Sequence, residues 1–269
     1  MKKTILDHAL DWAGRILLTA ILCFVLLPFI VVLIASFNES AILTFPPKGW
    51  SFRWYANAFE YRDFGEGLVN SLMIAAIGAT IALIAGSGFA YVLNRYDFAL
   101  KSLLNGVLMS PLIIPNFTIG LGLLILSAAA SLPRSVWLVV AVHVIIVLPF
   151  VVRSVYVSLQ NFERRYEQAA ESLGAGPVHV LLTITLPLLL PGLVSGGLFA
   201  AILSFNEFTA SLFVVNQRTQ TLPVAMYNYV REYADPTLAA VSVIYVAVVA
   251  VMLLLVHKFF RLEKVLNVE

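Results

Sequence analysis

Apolar residues fill six long stretches of this chain, and short polar segments separate them. The stretches run over Arg15–Ser36, Leu68–Leu93, Ser102–Ala130, Val136–Leu159, Leu189–Val215 and Leu238–His257. Each is continuously apolar rather than alternating, which excludes barrel strands and predicts helices. At 1.5 Å per residue each is long enough to cross roughly 30 Å of hydrocarbon. The third stretch has length to spare, for a tilt or for a broken section around Pro111 and Pro115. Pro149 in the fourth stretch is a further place for a kink that frees carbonyls.

One polar segment differs from ordinary loops. Between the fourth and fifth stretches the chain reads ERRYEQAAESLGAGPVHVLLTITLP, from Glu163 to Pro187. Wound as a helix, Glu163–Leu173 aligns Tyr166, Ala169, Ala170 and Leu173 in one stripe and places Glu163, Arg164, Glu167, Gln168 and Glu171 on the other face. Gly174 suits a left-handed helix end, and Pro177 suits the first turn of a second helix. A helix-turn-helix outside the bilayer either packs its stripe on its own bundle or offers it to a soluble partner. The pattern alone leaves both open.

Composition narrows the class. Of 269 residues, 61% are hydrophobic and 12% charged, about half the charge of a soluble domain. The chain is thus an all-α membrane protein of six spans, read as a single domain over residues 1–269. Its first span follows Lys2 and Lys3, is longer than a signal-peptide core and reads as an uncleaved helix. Cys23 is the one cysteine, so no intrachain disulfide or thiolate metal cluster is available.

Charge distribution orients the spans. Eleven Lys and Arg lie on the side of the N-terminus: Lys2, Lys3, Arg15, Arg95, Lys101, Arg153, Arg164, Arg165, Lys258, Arg261 and Lys264. Six lie on the other: Lys48, Arg53, Arg62, Arg134, Arg218 and Arg231. The bias places both termini and the Glu163–Pro187 segment in the cytoplasm. The long outer segment, Phe37–Gly67, carries Trp50, Phe52, Trp54, Tyr55, Phe59 and Tyr61. It reads as an interfacial aromatic belt with a short amphipathic helix, or as a contact surface for an extracytoplasmic partner.

Ionisable side chains inside spans are candidates for function. Glu207 is the clearest, in the run Leu203–Ser211, with Asn206 and Ser211 beside it. Two readings stand: Glu207 as a polar element of a solute pathway that attracts a cationic group, or as a carboxylate tied by hydrogen bonds to a neighbouring helix or subunit. Asn206 and Ser211 either line the same path or hold helices together. His143 in the fourth span favours a packed imidazole, and Arg153 and His257 at span ends favour snorkelling anchors.

The cytoplasmic segment resembles a family signature. Inner-membrane subunits of type I ABC importers carry Glu-Ala-Ala, three residues, Gly, nine residues, then Ile-x-Leu-Pro. Here Gln168-Ala169-Ala170, Gly174 and Ile184-Thr185-Leu186-Pro187 stand at that spacing, with Gln168 at the usual Glu position and Glu167 beside it. The resemblance extends over most of the chain. Ser51–Tyr55, Asn70-Ser71-Leu72, Thr221–Val224 and Asp235–Ser242 are similar to the second permease of the spermidine/putrescine transport group, which also includes permeases for opines and aminoethylphosphonate.

The resemblance implies the permease fold of a type I importer in a bacterial inner membrane. Tyr166, Glu167, Gln168, Ala169, Ala170, Leu173, Gly174, Ile184, Leu186 and Pro187 would form the coupling region that docks on an ABC ATPase. Other implied partners are a second permease subunit, in a heterodimer, and an extracytoplasmic substrate-binding protein. Members of the polyamine group usually carry an acidic pair where this chain has Asn206-Glu207; one carboxylate makes a mono-amine or zwitterionic cargo plausible beside a polyamine. The chain has no phosphate-binding Walker loop, so ATP and Mg²⁺ would bind the ATPase subunits and this chain would hold no cofactor. Nothing in it points to nucleic acid, and no catalytic constellation appears in the spans. The alternative is a self-contained secondary transporter. That class needs ion-coupling groups and repeats in the membrane, and of these the sequence offers Glu207 alone.

Overall fold

The computed structural model describes residues 5–42, 44–161 and 163–260. Lys2, Lys3, Arg261 and Lys264, counted above for orientation, lie outside the described residues, as does the side chain of His257. Among the described residues the regular structure is helical, and one isolated antiparallel bridge joins Asn38 and Trp50. Its contacts divide into two compact units, one of residues 1–61 with 228–248 and one of 62–227 with 249–269.

The first unit begins with α1, Ile5–Ala35. Its apolar side chains from Leu10 to Ile30 are exposed on every side, as suits a helix solvated by lipid. The segment after it folds around Trp54, which is 2% exposed and donates its indole N–H to the Asn38 carbonyl at 2.5 Å. Phe37 packs its ring on Trp50, Phe52 and Tyr55, and the Ser36 and Tyr55 hydroxyls meet at 2.8 Å. The expected short helix is α2, Arg53–Glu60. Trp50, Phe52 and Phe59 stay exposed around it, in keeping with an interfacial belt.

The second unit is built on α3 (Arg62–Arg95), α6 (Val136–Asn161) and α10 (Leu190–Phe205). Small residues explain their closeness. In lipid there is little hydrophobic drive between helices, so backbones must approach until van der Waals contact and interhelical hydrogen bonds hold them. A Cβ on Gly86 of α3 would stand 2.8 Å from a Val151 methyl of α6. One on Gly192 of α10 would stand 2.5 Å from Ser158 Cβ. Ser154 of α6 donates to the Gly192 carbonyl at 2.9 Å across that same contact. Val139, Val142, Val147, Val151 and Val155 of α6 are wholly buried between the two neighbours.

Two of the six expected spans are broken. Four helices are long and apolar enough to cross a membrane, and six spans are reached when each of two bent helix pairs counts as one. The third span is α4 (Lys101–Met109) with a tight turn at Ser110–Leu112, then α5 (Asn116–Ala129), bent by 106°. The break falls at Pro111–Pro115, where proline removes amide donors and turns the preceding residue away from helix. The fifth span was expected to run unbroken over Leu189–Val215. Instead α10 ends at Phe205, and 16 residues reach only about 24 Å. An irregular stretch, Asn206–Ala210, leads into the short α11, Ser211–Val214. At its other end α10 meets the helical segment Pro177–Leu188 at 67°. Pro149, by contrast, lies inside an α6 that continues past it.

Candidate functional site

The Glu163–Pro187 signature region forms a short helix, α7 (Arg165–Ser172), and a helical segment of α8 (Pro177–Val180), a wide π-type turn (Leu181–Thr185) and α9 (Leu186–Leu188). Gly174 has φ +86° and ends α7 as expected. The Ala175 N–H reaches the Ala170 carbonyl at 3.0 Å and the Gly174 N–H the Glu171 carbonyl at 2.9 Å, the paired bonds of a Schellman end.

The orientation of α7 differs from the one its pattern predicted. Glu167, assigned to the polar outer face, is buried at 6% exposure. One carboxylate oxygen lies 2.9 Å from the Arg95 guanidinium at the end of α3, and the other accepts the Thr185 hydroxyl at 2.7 Å. Of the apolar stripe, Ala170 is half-buried beside it, while Tyr166 and Leu173 are 50% and 89% exposed and Ala169 is exposed too. The reason is electrostatic. An arginine at the end of an apolar helix needs a counter-charge once buried, and that attraction outweighs the small gain from covering two alanines. The helix is thus fastened by its acidic residue and presents Tyr166, Ala169 and Leu173 outward, with the exposed Val178 and Gln168 on the same segment. Of the signature residues in the second segment, Leu186 is exposed, Ile184 is half-buried and Pro187 is exposed.

A second cluster sits where the two broken spans meet. Breaking a helix in hydrocarbon strands backbone donors that must find partners within the protein. Glu207 Oε1 accepts the Ala210 N–H at 2.7 Å, and Oε2 accepts the Asn116 side-chain amide at 2.7 Å. Asn116 opens α5, one residue beyond the other break. A Cβ on Gly120 would lie 2.6 Å from the Ala210 carbonyl, so α5 and the irregular stretch are in backbone contact. Ser211 donates to the Glu207 carbonyl at 3.0 Å. With that proton committed, Ser211 Oγ accepts from Nε2–H of His143 at 2.8 Å, and His143 Nδ1 accepts from Ser204 at 2.7 Å. His143 is 1% exposed and bonded at both nitrogens, the packed imidazole its sequence favoured. Of the three pathway candidates, Glu207 and Ser211 are buried in this network, whereas Asn206 is exposed and donates to the Ile202 carbonyl at 2.8 Å.

Arg95, Thr185 and Asn116 were not singled out from sequence as site residues. Arg95 was legible only as one cation in the orientation count. Its partner lies 72 positions on, and no local period links them. Asn70-Ser71 and Thr221-Leu222, distant in sequence, also come together. Asn70 donates to the Arg218 and Gln220 carbonyls at 3.0 and 2.9 Å, and Ser71 accepts the Leu222 N–H at 2.9 Å. Among the described residues no group of three His, Cys, Asp or Glu is placed to hold a metal.

Known proteins share this plan. The profile of the family described as "Binding-protein-dependent transport system inner membrane component" matches residues 78–264. The spermidine/putrescine transport system permease protein PotC of Escherichia coli K12 is 30% identical over 245 residues, 90% of this chain and 92% of that protein. The putrescine transport system permease protein PotI of the same strain is 32% identical over 238 residues, 85% of this chain and 84% of that one. The putative 2-aminoethylphosphonate permease PhnV of Salmonella paratyphi A is 29% identical over 256 residues, 94% of each. Among solved structures, a chain of a bacterial ABC transporter that imports alginate superposes with TM-score 0.76 over 97% of this chain and 99% of its own, at 17% identity. A chain of the MetNI methionine ABC transporter superposes with TM-score 0.61, over 72% and 93%, also at 17%. Fold, spans and sequence agree, and this multi-pass membrane protein belongs to the family of binding-protein-dependent transport system inner membrane components.

Proposed function

We propose that this chain is one permease subunit of an ATP-driven importer for a small amine-bearing solute, a polyamine or a related aminophosphonate or opine. Two ABC ATPase subunits would bind and hydrolyse ATP on the cytoplasmic side. A second, non-identical permease would complete the pore, and an extracytoplasmic binding protein would deliver the solute. The chain itself supplies a surface and two conformations rather than chemistry. ATP-driven closure of the ATPases favours one conformation by its differential contacts with the coupling helix.

The observation that carries this reading is the mounting of α7. A helix clamped at its back by the buried Arg95–Glu167 pair, with Tyr166 and Leu173 exposed at its front, has the form of a part meant to be pushed. Neighbouring exposed apolar side chains on a helix outside the spans suit contact with a protein partner. The amine class rests on the named substrates of PotC, PotI and PhnV.

The test is a pair of substitutions on the outward face, Tyr166→Glu and Leu173→Glu. Both positions are exposed, so the permease is expected to accumulate and melt normally. Co-purification of the ATPase subunits and putrescine, spermidine and 2-aminoethylphosphonate uptake should fall together by at least tenfold. Normal co-purification and uptake in both variants would rule the docking surface out. Uptake that persists without any ATPase chain would favour a secondary transporter.

A further inference from the structure

The first unit holds a cavity that neither the coupling surface nor the intramembrane cluster uses. Its volume is about 350 Å³, and Asn57, Glu60, Tyr61, Tyr229, Tyr233 and Asp235 line it. The charge bias places both contributing segments on the outer side of the membrane.

Its construction can be followed from the sequence. Glu60 ends α2, and Tyr61 is the next residue. Tyr229 belongs to α12 (Leu222–Glu232), and Tyr233 follows it by four positions, so both rings project to one side a turn apart. Asp235 precedes α13 (Thr237–Phe260) and accepts the Thr237 N–H at 2.8 Å. The three rings pack on one another. Tyr229 and Tyr233 have centroids 4.7 Å apart at 30°, and Tyr61 stands nearly perpendicular to both, at 5.0 and 6.2 Å. The Tyr229 hydroxyl donates to both Asp235 oxygens at 3.1 and 3.0 Å. Burial pushes that hydroxyl above the ordinary tyrosine range, so it remains a donor. The same bonds hold the Asp235 side chain in place. Glu60 is exposed at the rim and makes no ion pair with a described residue.

Two carboxylates and three aromatic rings thus face one small volume whose lining contains no lysine or arginine. Ring faces attract cations through their quadrupole, and the carboxylates add charge and hydrogen-bond acceptors. A hard divalent ion would prefer several carboxylates among six or more oxygens, whereas this lining offers two carboxylates and no group of three His, Cys, Asp or Glu among the described residues. We infer that the cavity is an outer cation site that takes the alkylammonium group of a small solute, held against Tyr229 and Tyr233 and paired with Glu60 and Asp235. The inference rests on the amine-importer reading for its choice of probe, while the aromatic and acidic lining stands independently of it.

The full chain in nanodiscs of zwitterionic lipid, carrying 3-fluorotyrosine, is titrated with putrescine and followed by ¹⁹F NMR. Putrescine, and tetramethylammonium as a second cation, should shift tyrosine resonances saturably. The neutral isostere 1,4-butanediol should not. Glu60→Gln and Tyr233→Ala, both at exposed positions, should each weaken putrescine binding at least fivefold without lowering Tm, and Glu207→Gln should leave it unchanged. Equal affinity in the Glu60 and Tyr233 variants, or an equal response to the diol, would overturn the site. Putrescine uptake by cells holding the complete importer separates the two claims. Normal uptake with no binding here removes the site alone; saturable cation binding in a transporter that imports no amine supports the site and removes the amine reading.

Discussion

Substituting Glu167 by Gln tests whether α7, the proposed coupling helix, is held by charge. Arg95 and Glu167 are 9% and 8% exposed at their side chains and lie 2.9 Å apart, so water does little to replace a lost partner. Removing one member of a buried pair leaves the other charged and desolvated, at about 3–5 kcal/mol. Glutamine keeps the shape and still accepts the Thr185 hydroxyl, which points to the lower end, about 3 kcal/mol. The penalty need not unfold the protein. The least costly escape is for α7, eight residues long, to swing off the bundle and let Arg95 reach water. Since 1.4 kcal/mol is a factor of ten, 3 kcal/mol raises the detached population by roughly a hundredfold. Hydrogen exchange of the permease in nanodiscs reads this directly. Amides whose bonds close the helix, such as Gln168 to Arg164 and Ala175 to Ala170, should lose protection by up to that factor, while the α6 core stays protected. ATP hydrolysis in the reconstituted importer should become less dependent on solute. The double variant Arg95→Met, Glu167→Met removes both charges, and protection should recover to within about tenfold of the parent, because burying an apolar pair in place of an ionic one is often neutral. Unchanged exchange over α7 in Glu167→Gln would refute the electrostatic mounting. So would a double variant as loose as the single one, since removing the Arg95 charge would then relieve nothing that the single substitution had left unpaired.

Other expectations follow from the packed core and the broken spans. Gly192→Val places a side chain where even a Cβ meets Ser158 at 2.5 Å and should cost about 2 kcal/mol, read as a fall in Tm in detergent, whereas Gly88→Ala, with open space around it inside a helix, should be neutral or stabilise by up to about 1 kcal/mol. Glu207→Ala strands the Ala210 N–H and the Asn116 amide, at about 1–3 kcal/mol for each, and should destabilise the chain strongly. Glu207→Gln should be nearly normal in stability and amine uptake, because Asn116 can turn its amide over to restore the bond; loss of uptake at unchanged stability would return the carboxylate to the solute pathway.

Which parts of the molecule were legible in advance follows from the range of the forces involved. Span positions, the end of α7 at Gly174 and the break at Pro111–Pro115 are local matters: hydrocarbon thickness, positive φ and a missing amide donor act on the residues that carry them. They could be read without knowing any neighbour in space. The break after Phe205 has no proline at its site, and nothing in Leu203–Ser211 distinguishes an unbroken helix from one that opens. It is stable because Glu207 accepts the freed Ala210 N–H and is itself held by the Asn116 side-chain amide of another span. Pattern reasoning likewise turned α7 by its apolar stripe, a sound rule for a helix lying on an apolar surface. The surface it meets instead carries Arg95.

The sequence by itself determined that this is a helical membrane protein, where its spans lie, and the family signature with its spacing, since hydrophobic length and short-range backbone constraints are written residue by residue. Only the tertiary structure decided which side of α7 is exposed, that Glu207 and Ser211 bond within the bundle, and that tyrosines from two distant segments meet around a pair of carboxylates. Each of these depends on a contact between residues far apart in the chain, and the free energy of such a contact exists only once packing has brought them together.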